Sequence, residues 1–344
     1  MKKYNVAIVG VGAVGIEMLR CLKQRNFSLN QLRLLARSDR IIQVDGVDYK
    51  VEAVSPEKFD NIEIALFAGT EGEKGASVLF APEAVKRGAV VIDNGADFRL
   101  EEGVPLIIPE INRNRIKDHR GIIANPNCTT IQMLVALNRI FKQFGLKQIV
   151  LSSYQAVSGA GKKAAVSLWE QAERVVEKNK GVYFDLIDKK VKPNPDIFPS
   201  QIVFNVIPKI GGLNEYGYTT EEWKTVRETH KIFEDSSIKI TSTCVRVPVI
   251  TSHSESVYFQ VKDTVGLEDI KSAIKDSEGV AYSEDAVLPI DAEGKDEVFV
   301  SRVREDPFNK NCFWLWCVSD NLRKGAALNT VQIAEELVSS GLLG

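Results

Sequence analysis

The segment that most constrains this chain is its start. Tyr4–Val9 is an apolar run of strand length, Gly10-Val11-Gly12-Ala13-Val14-Gly15 follows without a gap, and Ile16–Leu22 has helical spacing. Strand, G-x-G-x-x-G and helix in that order predict a dinucleotide-binding βα unit. Glycines let backbone amides approach a pyrophosphate, and the helix N-terminus favours its charge.

The alternation continues. Leu32–Leu35, Ile62–Ala68 and Ala89–Ile92 read as strands, Pro82–Arg87 lies in a helix, and Asp93-Asn94-Gly95 signals a turn. Apolar strands alternating with helices predict a parallel sheet covered on both faces, an α/β Rossmann-type domain. Beyond Cys128 the texture changes. Thr129–Phe144 reads as an amphipathic helix with Ile131, Leu134, Leu137 and Ile140-Phe141 along one side, and Ala164–Lys178 and Glu221–Phe233 read as charged helices. Ile149–Tyr154, Thr241–Val249, Ser256–Val261, Val298–Val303 and Cys312–Val318 read as strands, and Lys178–Ser200, with Pro193, Pro195 and Pro199, as an irregular connection. An α+β second domain over 128–318 is expected. It is inserted between residues 1–127 and 319–344, where the helical stretch Leu322–Leu342 returns to the first domain.

Composition narrows the partners. A chain of 344 residues suits about two domains. Forty-six acidic against 44 basic residues leave a net charge of -2, which gives no electrostatic reason to grip nucleic acid or an anionic membrane. No apolar run approaches the ~18 residues of a spanning helix. Lys2 and Lys3 imitate the start of a secretory signal, but Gly10, Gly12 and Gly15 interrupt its core and Glu17 stands where cleavage would fall. Five cysteines, an odd number without a CxxC pair, argue for a reducing cytoplasm, and three scattered histidines give no metal site.

The end of the second strand selects the cofactor. An NAD site places an acid there to hold the ribose 2′-hydroxyl. Here Leu35 is followed by Ala36-Arg37-Ser38-Asp39-Arg40. Arg37, Ser38 and Arg40 suit the 2′-phosphate of NADP, whereas Asp39 is the acid an NAD site would use.

Asn125-Pro126-Asn127-Cys128-Thr129-Thr130 closes an apolar strand, Ile122-Ile123-Ala124, and opens a helix. A cysteine there feels the positive end of the helix dipole, which lowers its pKa, so Cys128 reads as a nucleophile. Cys21, Cys244, Cys312 and Cys317 read as buried and inert. Arg246 precedes His253 by seven residues. An arginine can clamp a carboxylate and a histidine can exchange protons, although a single histidine can equally be structural. His119 and His230 lie among charges and read as surface residues. Ala156–Lys163 imitates a phosphate loop but has Ala156 for the first glycine and Lys163 for the hydroxyl. It reads as a glycine-rich turn that lets a flat ligand approach.

Together these motifs resemble bacterial-type aspartate-semialdehyde dehydrogenase. The pieces are GVGAVG, NPNCTTIQ, SSYQAVSGAG, FNVIP, GYTTEEWK, CVRVPVITSHSES and DNLRKGAALNTVQIAE, running in order from residue 10 to residue 335. The cysteine and Arg-x6-His motifs are specific to that family; the glycine motif alone is not. The resemblance implies reversible NADPH-dependent reduction of aspartyl phosphate to aspartate semialdehyde with release of phosphate. That is a step toward lysine (through diaminopimelate), methionine and threonine. It implies that Cys128 carries an acyl-thioester, His253 is the acid/base and Gln155 orients the substrate. Arg246 would bind the substrate carboxylate and Glu221 its ammonium, with Arg99, Asn127 and Lys224 on the phosphate. Val11–Val14, Arg37, Ser38, Ser158, Gly159 and Asn321 would contact NADP. It further implies a homodimer or a dimer of dimers built through the second sheet. Read without the resemblance, Glu221 and Lys224 are a solvated helix face.

A thiolate can add to an acyl phosphate and backbone amides after Cys128 can receive the oxyanion, so the chemistry is coherent. The chain departs from the family pattern at Gly95-Ala96-Asp97 and at Gly69-Thr70-Glu71-Gly72-Glu73-Lys74, where added acids bear on NADP affinity and on its preference over NAD. N-acetyl-glutamyl-phosphate reductase uses the same thioester logic, but an acetylated amine needs no Glu221. Glyceraldehyde-phosphate dehydrogenase does not share the Asn-Pro-Asn-Cys context. A non-catalytic paralogue would have no reason to keep Cys128, Gln155, Arg246 and His253 together.

Overall fold

The computed structural model describes residues 2–69, 72, 75–181 and 187–343, and among these the chain forms two helix-covered sheets. The first comprises β1 (Tyr4–Val9), α1 (Ala13–Gln24), β2 (Leu29–Ala36), β3 (Arg40–Val44), β4 (Val47–Ala53), β5 (Ile64–Phe67), α2 (Ala76–Lys86), β6 (Val90–Asp93), α3 (Pro109–Asn112) and β7 (Ile122–Ala124). Its strand order is β3-β4-β2-β1-β5-β6-β7, parallel except for the β3–β4 pair. Val6, Ile8, Ile64 and Leu66 pack on the α1 side, while Ala7, Val9, Ala65 and Phe67 pack on the α2 side. Burial on both faces explains why these strands are continuous apolar runs.

The β3–β4 hairpin was not among the sequence expectations. It turns on Asp45 and Gly46, both at positive φ (50° and 78°), the backbone a two-residue hairpin loop requires.

The second sheet follows α4 (Cys128–Phe144). It contains β8 (Leu146–Gln155), α5 (Lys162–Lys178), α6 (Thr220–Phe233), β9 (Lys239–Arg246), β10 (His253–Val261), α7 (Leu267–Lys275), β11 (Val280–Tyr282), α8 (Pro289–Ala292), β12 (Val298–Glu305) and β13 (Cys312–Ser319). The order is β11-β12-β13-β10-β8-β9. One face packs Ile149, Leu151, Val257, Phe259 and Leu315 against Ile131, Leu134 and Ile140 of α4. The other carries Tyr154 over Trp316 and Tyr258 over Trp314, with ring centroids 5.6 and 5.1 Å apart. Tyr154 there is 38% exposed.

Helix α4 is not the one-sided helix its spacing suggests. Every residue from Thr129 to Asn138 is buried, because the sheet, α3, α6, α7 and residues 323–327 all pack on this helix. The Thr241–Val249 strand is also shorter than expected. It stops at Arg246, and Val247 N–H to Gln155 O and Val157 N–H to Val249 O carry the link across the end of β8. His119 and His230 are half-buried rather than surface residues. Nδ1 of His119 accepts from Gly121 N–H at 3.1 Å, and Nε2 of His230 lies 2.9 Å from Ile238 O. Cys21, Cys244, Cys312 and Cys317 are buried and free, as anticipated. Of the expected connection Lys178–Ser200, Lys178 still belongs to α5, residues 179–181 and 187–200 are irregular, and residues 182–186 lie outside the described residues.

After β13 a π-helical turn, Arg323–Ala327, leads into α9 (Leu328–Ser339). Val331, Ala334 and Leu337 of α9 pack with Met18, Leu22 and Ile92, so the last helix covers the first sheet.

Candidate active site

Cys128 is the first residue of α4, and the loop before it is tied down on three sides. Asn127 is the N-cap, its Oδ1 accepting from Thr129 N–H at 3.0 Å. Asn127 Nδ2 donates to Glu221 Oε1 at 3.0 Å, and Asn127 N–H donates to Glu228 Oε2 at 2.6 Å. Since Thr129 N–H is taken by the cap, the amides after Cys128 are less available to an oxyanion than the sequence suggested.

Around Cys128 lies a cleft of about 580 Å³. Val14, Arg99, Asn127, Gln155, Ser158, Gly159, Glu221, Lys224, Arg246 and Asn321 all line it. The structure therefore brings together residues from both sheets. Helix α6 supplies Glu221 and Lys224, with Glu221 only 9% exposed, so these are not a solvated face. A capping box fixes the start of α6: Thr219 N–H donates to Glu222 Oε2 at 2.7 Å and Glu222 N–H to Thr219 Oγ1 at 3.3 Å. Glu222 Oε1 also accepts from Cys244 N–H at 3.0 Å, locking the helix to β9. Glu221 Oε1 accepts from Gln155 Nε2 at 3.4 Å, and Lys224 Nζ lies 3.4 Å from Glu221 Oε2. Burial alone would raise the Glu221 carboxyl, but Lys224, Asn127, Arg246 and Arg99 outweigh it and hold the group below its usual range.

His253 does not line the cleft; it is fully buried beneath the turn at residues 157–161. A Cβ on Gly159 would stand 2.8 Å from Arg246 Nη1 and 3.2 Å from His253 Nε2, so a larger residue would press on both side chains. Nδ1 of His253 accepts from Ala156 N–H at 3.0 Å, which assigns the neutral ring's proton to Nε2, and Nε2 has no partner. Burial and the neighbouring Arg246 push the imidazole down to about 3, so it is neutral. Asn321 Oδ1 binds Ser252 N–H at 2.9 Å and Ser158 Oγ at 3.1 Å, pinning the turn to the segment that leads into His253.

The Cys128 thiol corrects the sequence reading. Its expected low pKa is not found: burial and then Glu221 push it up to about 12 against the pull of Arg246, Arg99 and Lys224. The ligand-free site holds a thiol, because burial first, and then the carboxylate that faces the cleft, disfavours a thiolate.

The dinucleotide end opens into the same cleft through Val14. Gly10 has φ of +96°, and a Cβ there would meet Ala68 O at 2.6 Å; a Cβ on Gly15 would meet Gly10 O at 1.8 Å. Both positions are fixed by packing. Gly12, the N-cap of α1, faces open space and no side chain caps the helix, which fits a pyrophosphate on the exposed amides. Arg37, Ser38 and Arg40 are exposed just beyond β2. Asp39 Oδ1 accepts from Ala53 N–H at 2.6 Å and is thus committed to β4. In the departing loops, Asp97 Oδ1 accepts from Gly72 N–H at 2.9 Å; Thr70, Glu71, Glu73 and Lys74 lie outside the described residues. Among the described residues no group of three His, Cys, Asp or Glu is placed to hold a metal.

Residues 5–119 match the family model for the semialdehyde dehydrogenase NAD binding domain, and residues 137–324 match that for the semialdehyde dehydrogenase dimerisation domain. Aspartate-semialdehyde dehydrogenase of Bacillus subtilis is 44% identical over 98% of this chain and 99% of that protein. Its namesake in Aquifex aeolicus is 44% identical over 99% of each. The chain belongs to the aspartate-semialdehyde dehydrogenase family. A crystal structure of aspartate semialdehyde dehydrogenase II complexed with ASA, from Vibrio cholerae, has a TM-score of 0.89 at 41% identity, covering 98% of this chain and 99% of that one.

Within this aspartate-semialdehyde dehydrogenase fold, two residues that the sequence did not single out stand in direct contact with the site. Glu228 binds both Arg99 and Asn127. Gly325, in the π-helical turn, backs Cys128. Glu228 falls seven residues after Glu221 on α6, a spacing that could have found it; Gly325 sits inside DNLRKGAALN without a local signal of its own.

Proposed function

We propose that the cleft reduces L-aspartyl 4-phosphate to L-aspartate 4-semialdehyde through a thioester on Cys128, reversibly and with NADPH. The convergence of Cys128, Arg99, Glu221 and Arg246 on one cleft, continuous with the glycine loop, supports this reading. Arg246 holds the substrate carboxylate and Glu221 the ammonium. Gln155 orients the acyl group, and Arg99, Asn127 and Lys224 hold the phosphate. Cys128 Sγ adds to the acyl carbon, the bond to the phosphate oxygen breaks, and phosphate leaves. NADPH, held by the residues named below, would supply the hydride that reduces the thioester, and Cys128 would be released as the carbon–sulfur bond gives way. Val11–Val14, Arg37, Ser38, Ser158, Gly159 and Asn321 bind the dinucleotide.

His253 is the acid/base. In its ligand-free tautomer Nε2–H lies behind Gly159 of the cleft wall, so it reaches the oxygen that turns negative on addition only if that glycine turn shifts. Taking the Cys128 proton needs the other tautomer, with Ala156 N–H released from Nδ1. Burial is the larger cause of the low imidazole value and Arg246 the second, so a substrate carboxylate on Arg246 offsets only the smaller part and raises the basicity by that much.

Residues 1–127 with 319–344 form the NADP-binding domain and 128–318 the catalytic and dimerisation domain. The face bearing Tyr154, Tyr258, Trp314 and Trp316 pairs with a second copy, giving a homodimer that can associate as a dimer of dimers. The protein works in the cytoplasm on small molecules, with no nucleic-acid or membrane partner. The test is NADPH formation from aspartate semialdehyde with and without phosphate. Formation should require phosphate and should vanish in folded Cys128→Ala. Turnover by the alanine variant, or indifference to phosphate, would reject the mechanism.

A further inference from the structure

We infer that Glu228 is a positioning residue that sets Arg99 and Asn127 for phosphate, an inference that rests on the phosphate site proposed above. Glu228 lies two turns beyond Glu221 on the same face of α6 and is 1% exposed. Its two oxygens serve two different segments. Oε1 accepts from Arg99 Nη1 at 3.0 Å, and Oε2 accepts from the Asn127 backbone N–H at 2.6 Å. One turn further, Lys231 Nζ donates to Arg99 O at 2.8 Å. The first half of the α6 face therefore meets the cleft, and the second half grips the segments that carry Arg99 and Asn127.

The chemistry demands a carboxylate. Both Glu228 partners are donors, and a carboxylate accepts on both oxygens at once. Glutamine keeps the shape but must turn its NH2 toward Arg99 or toward the Asn127 amide, donor against donor. The loosened partner then moves. Asn127 carries three further consequences, since its side chain caps α4, meets Glu221 and directly precedes Cys128.

The sign of the effect separates positioning from simple electrostatics. Glu228 is negative and lies beside a proposed anion site. By Coulomb attraction alone, removing its charge should tighten phosphate binding. Positioning predicts the opposite.

The experiment compares the native full-length enzyme with Glu228→Gln and Glu228→Asp. It measures KM for phosphate and for aspartate semialdehyde in the oxidative direction, and protection of Cys128 from alkylation by inorganic phosphate alone. Glu228→Gln should raise the phosphate KM about tenfold or more, the size of one lost charge-assisted hydrogen bond. The semialdehyde KM should stay within about threefold, and the protecting phosphate concentration should rise in parallel with the phosphate KM. Glu228→Asp, which retains both acceptor oxygens, should recover part of the loss, and it carries the same test if the glutamine variant does not fold. An unchanged or lowered phosphate KM overturns the inference. So does an equal rise in both KM values together with a lowered melting temperature. If phosphate fails to protect native Cys128 and Arg99→Lys leaves the phosphate KM unchanged, the phosphate site itself is misplaced and both readings fall.

Discussion

Gly325 lies so close to the nucleophile that a β-carbon on it would stand 2.9 Å from Cys128 Cβ. The π-helical turn that carries it is anchored by the two residues that precede Gly325. Arg323 Nη1 donates to Glu17 Oε1 at 2.6 Å on α1. Fully buried Lys324 donates to Glu110 Oε2 at 2.7 Å and Oε1 at 2.8 Å on α3. The turn cannot retreat from a larger residue without breaking one of these pairs. Gly325→Ala should therefore displace Cys128 or the turn, costing about 1–3 kcal/mol of stability and lowering kcat about a hundredfold. Denaturant unfolding and steady-state rates measure the two effects; a variant that turns over within twofold of native would show that the contact is slack.

The Cys128 thiol, pushed up to about 12 by burial and Glu221, makes a kinetic prediction. In the ligand-free enzyme the rate of alkylation by a neutral reagent should climb about tenfold per pH unit through pH 10, because the thiolate is the reacting form. A plateau below pH 9 would mean that the thiolate is already formed without substrate.

How far the sequence was legible follows from where each signal sits. The glycine loop and the Asn-Pro-Asn-Cys turn are local: strand, turn and helix onset lie within a few residues, and each folded as read. The β3–β4 hairpin was also local, since Asp45-Gly46 is a hairpin dipeptide, and it went unread because the strands around it are half-polar. Helix α4 misled for a different reason. Its polar positions, Thr129, Thr130, Gln132 and Asn138, are buried against neighbours distant in sequence, which periodicity cannot report. For the same reason Glu221 and Lys224 were legible only through the family resemblance, and Glu228, seven residues beyond Glu221, went unread. A charged helix face becomes a pocket wall only when another sheet brings Cys128 to it.

The two arginines should separate kinetically. Arg246 Nη1 already donates to Ala156 O at 2.7 Å, so the guanidinium is oriented before substrate arrives. Arg246→Lys replaces a fork by a point charge and should raise the KM for semialdehyde by about tenfold or more. Arg99→Lys should act mainly on the KM for phosphate. Equal effects of both variants on both constants would show that the division of labour is wrong.

Glu255 supplies a test of stability against pH. It is fully buried on β10, with Cys317 Sγ 3.4 Å from Oε2 and no partner on Oε1. Burial pushes its carboxyl up to about 8, offset only in part by Gln132 and Cys317. The sign follows from proton counts. Below the usual carboxyl value both folded and unfolded forms are protonated. Between that value, 4.5, and about 8 only the unfolded form ionises, so stability falls as pH rises, by up to about 1.4 kcal/mol per unit. Glu255→Gln cannot ionise and should escape the loss. Its melting temperature should match native near pH 4.5 and exceed it increasingly toward pH 8; parallel curves would place the ionisation elsewhere.

Cofactor choice rests on the loop after β2. Arg37, Ser38 and Arg40 are exposed where β2 ends, and Ala36 holds the position of an NAD-selecting acid. The competing acid was Asp39, which would repel a 2′-phosphate or accept a ribose hydroxyl if it faced the cofactor. Its Oδ1 accepts from Ala53 N–H at 2.6 Å, which ties the side chain to β4. Arginine contacts to a near-dianionic phosphate are each worth about 1.5–3 kcal/mol, or roughly ten- to a hundredfold and more in affinity. Arg37→Ala should lower kcat/KM with NADP by at least about tenfold and leave the low NAD rate nearly unchanged. Asp39→Ala should free the β4 edge and reduce stability while sparing NADP preference, since the side chain acts on the fold. If the native enzyme uses NAD as efficiently as NADP, or if Asp39→Ala rather than Arg37→Ala shifts the ratio, the loop is read wrongly. The thioester chemistry at Cys128 would stand in either case, because no part of it depends on the 2′ position.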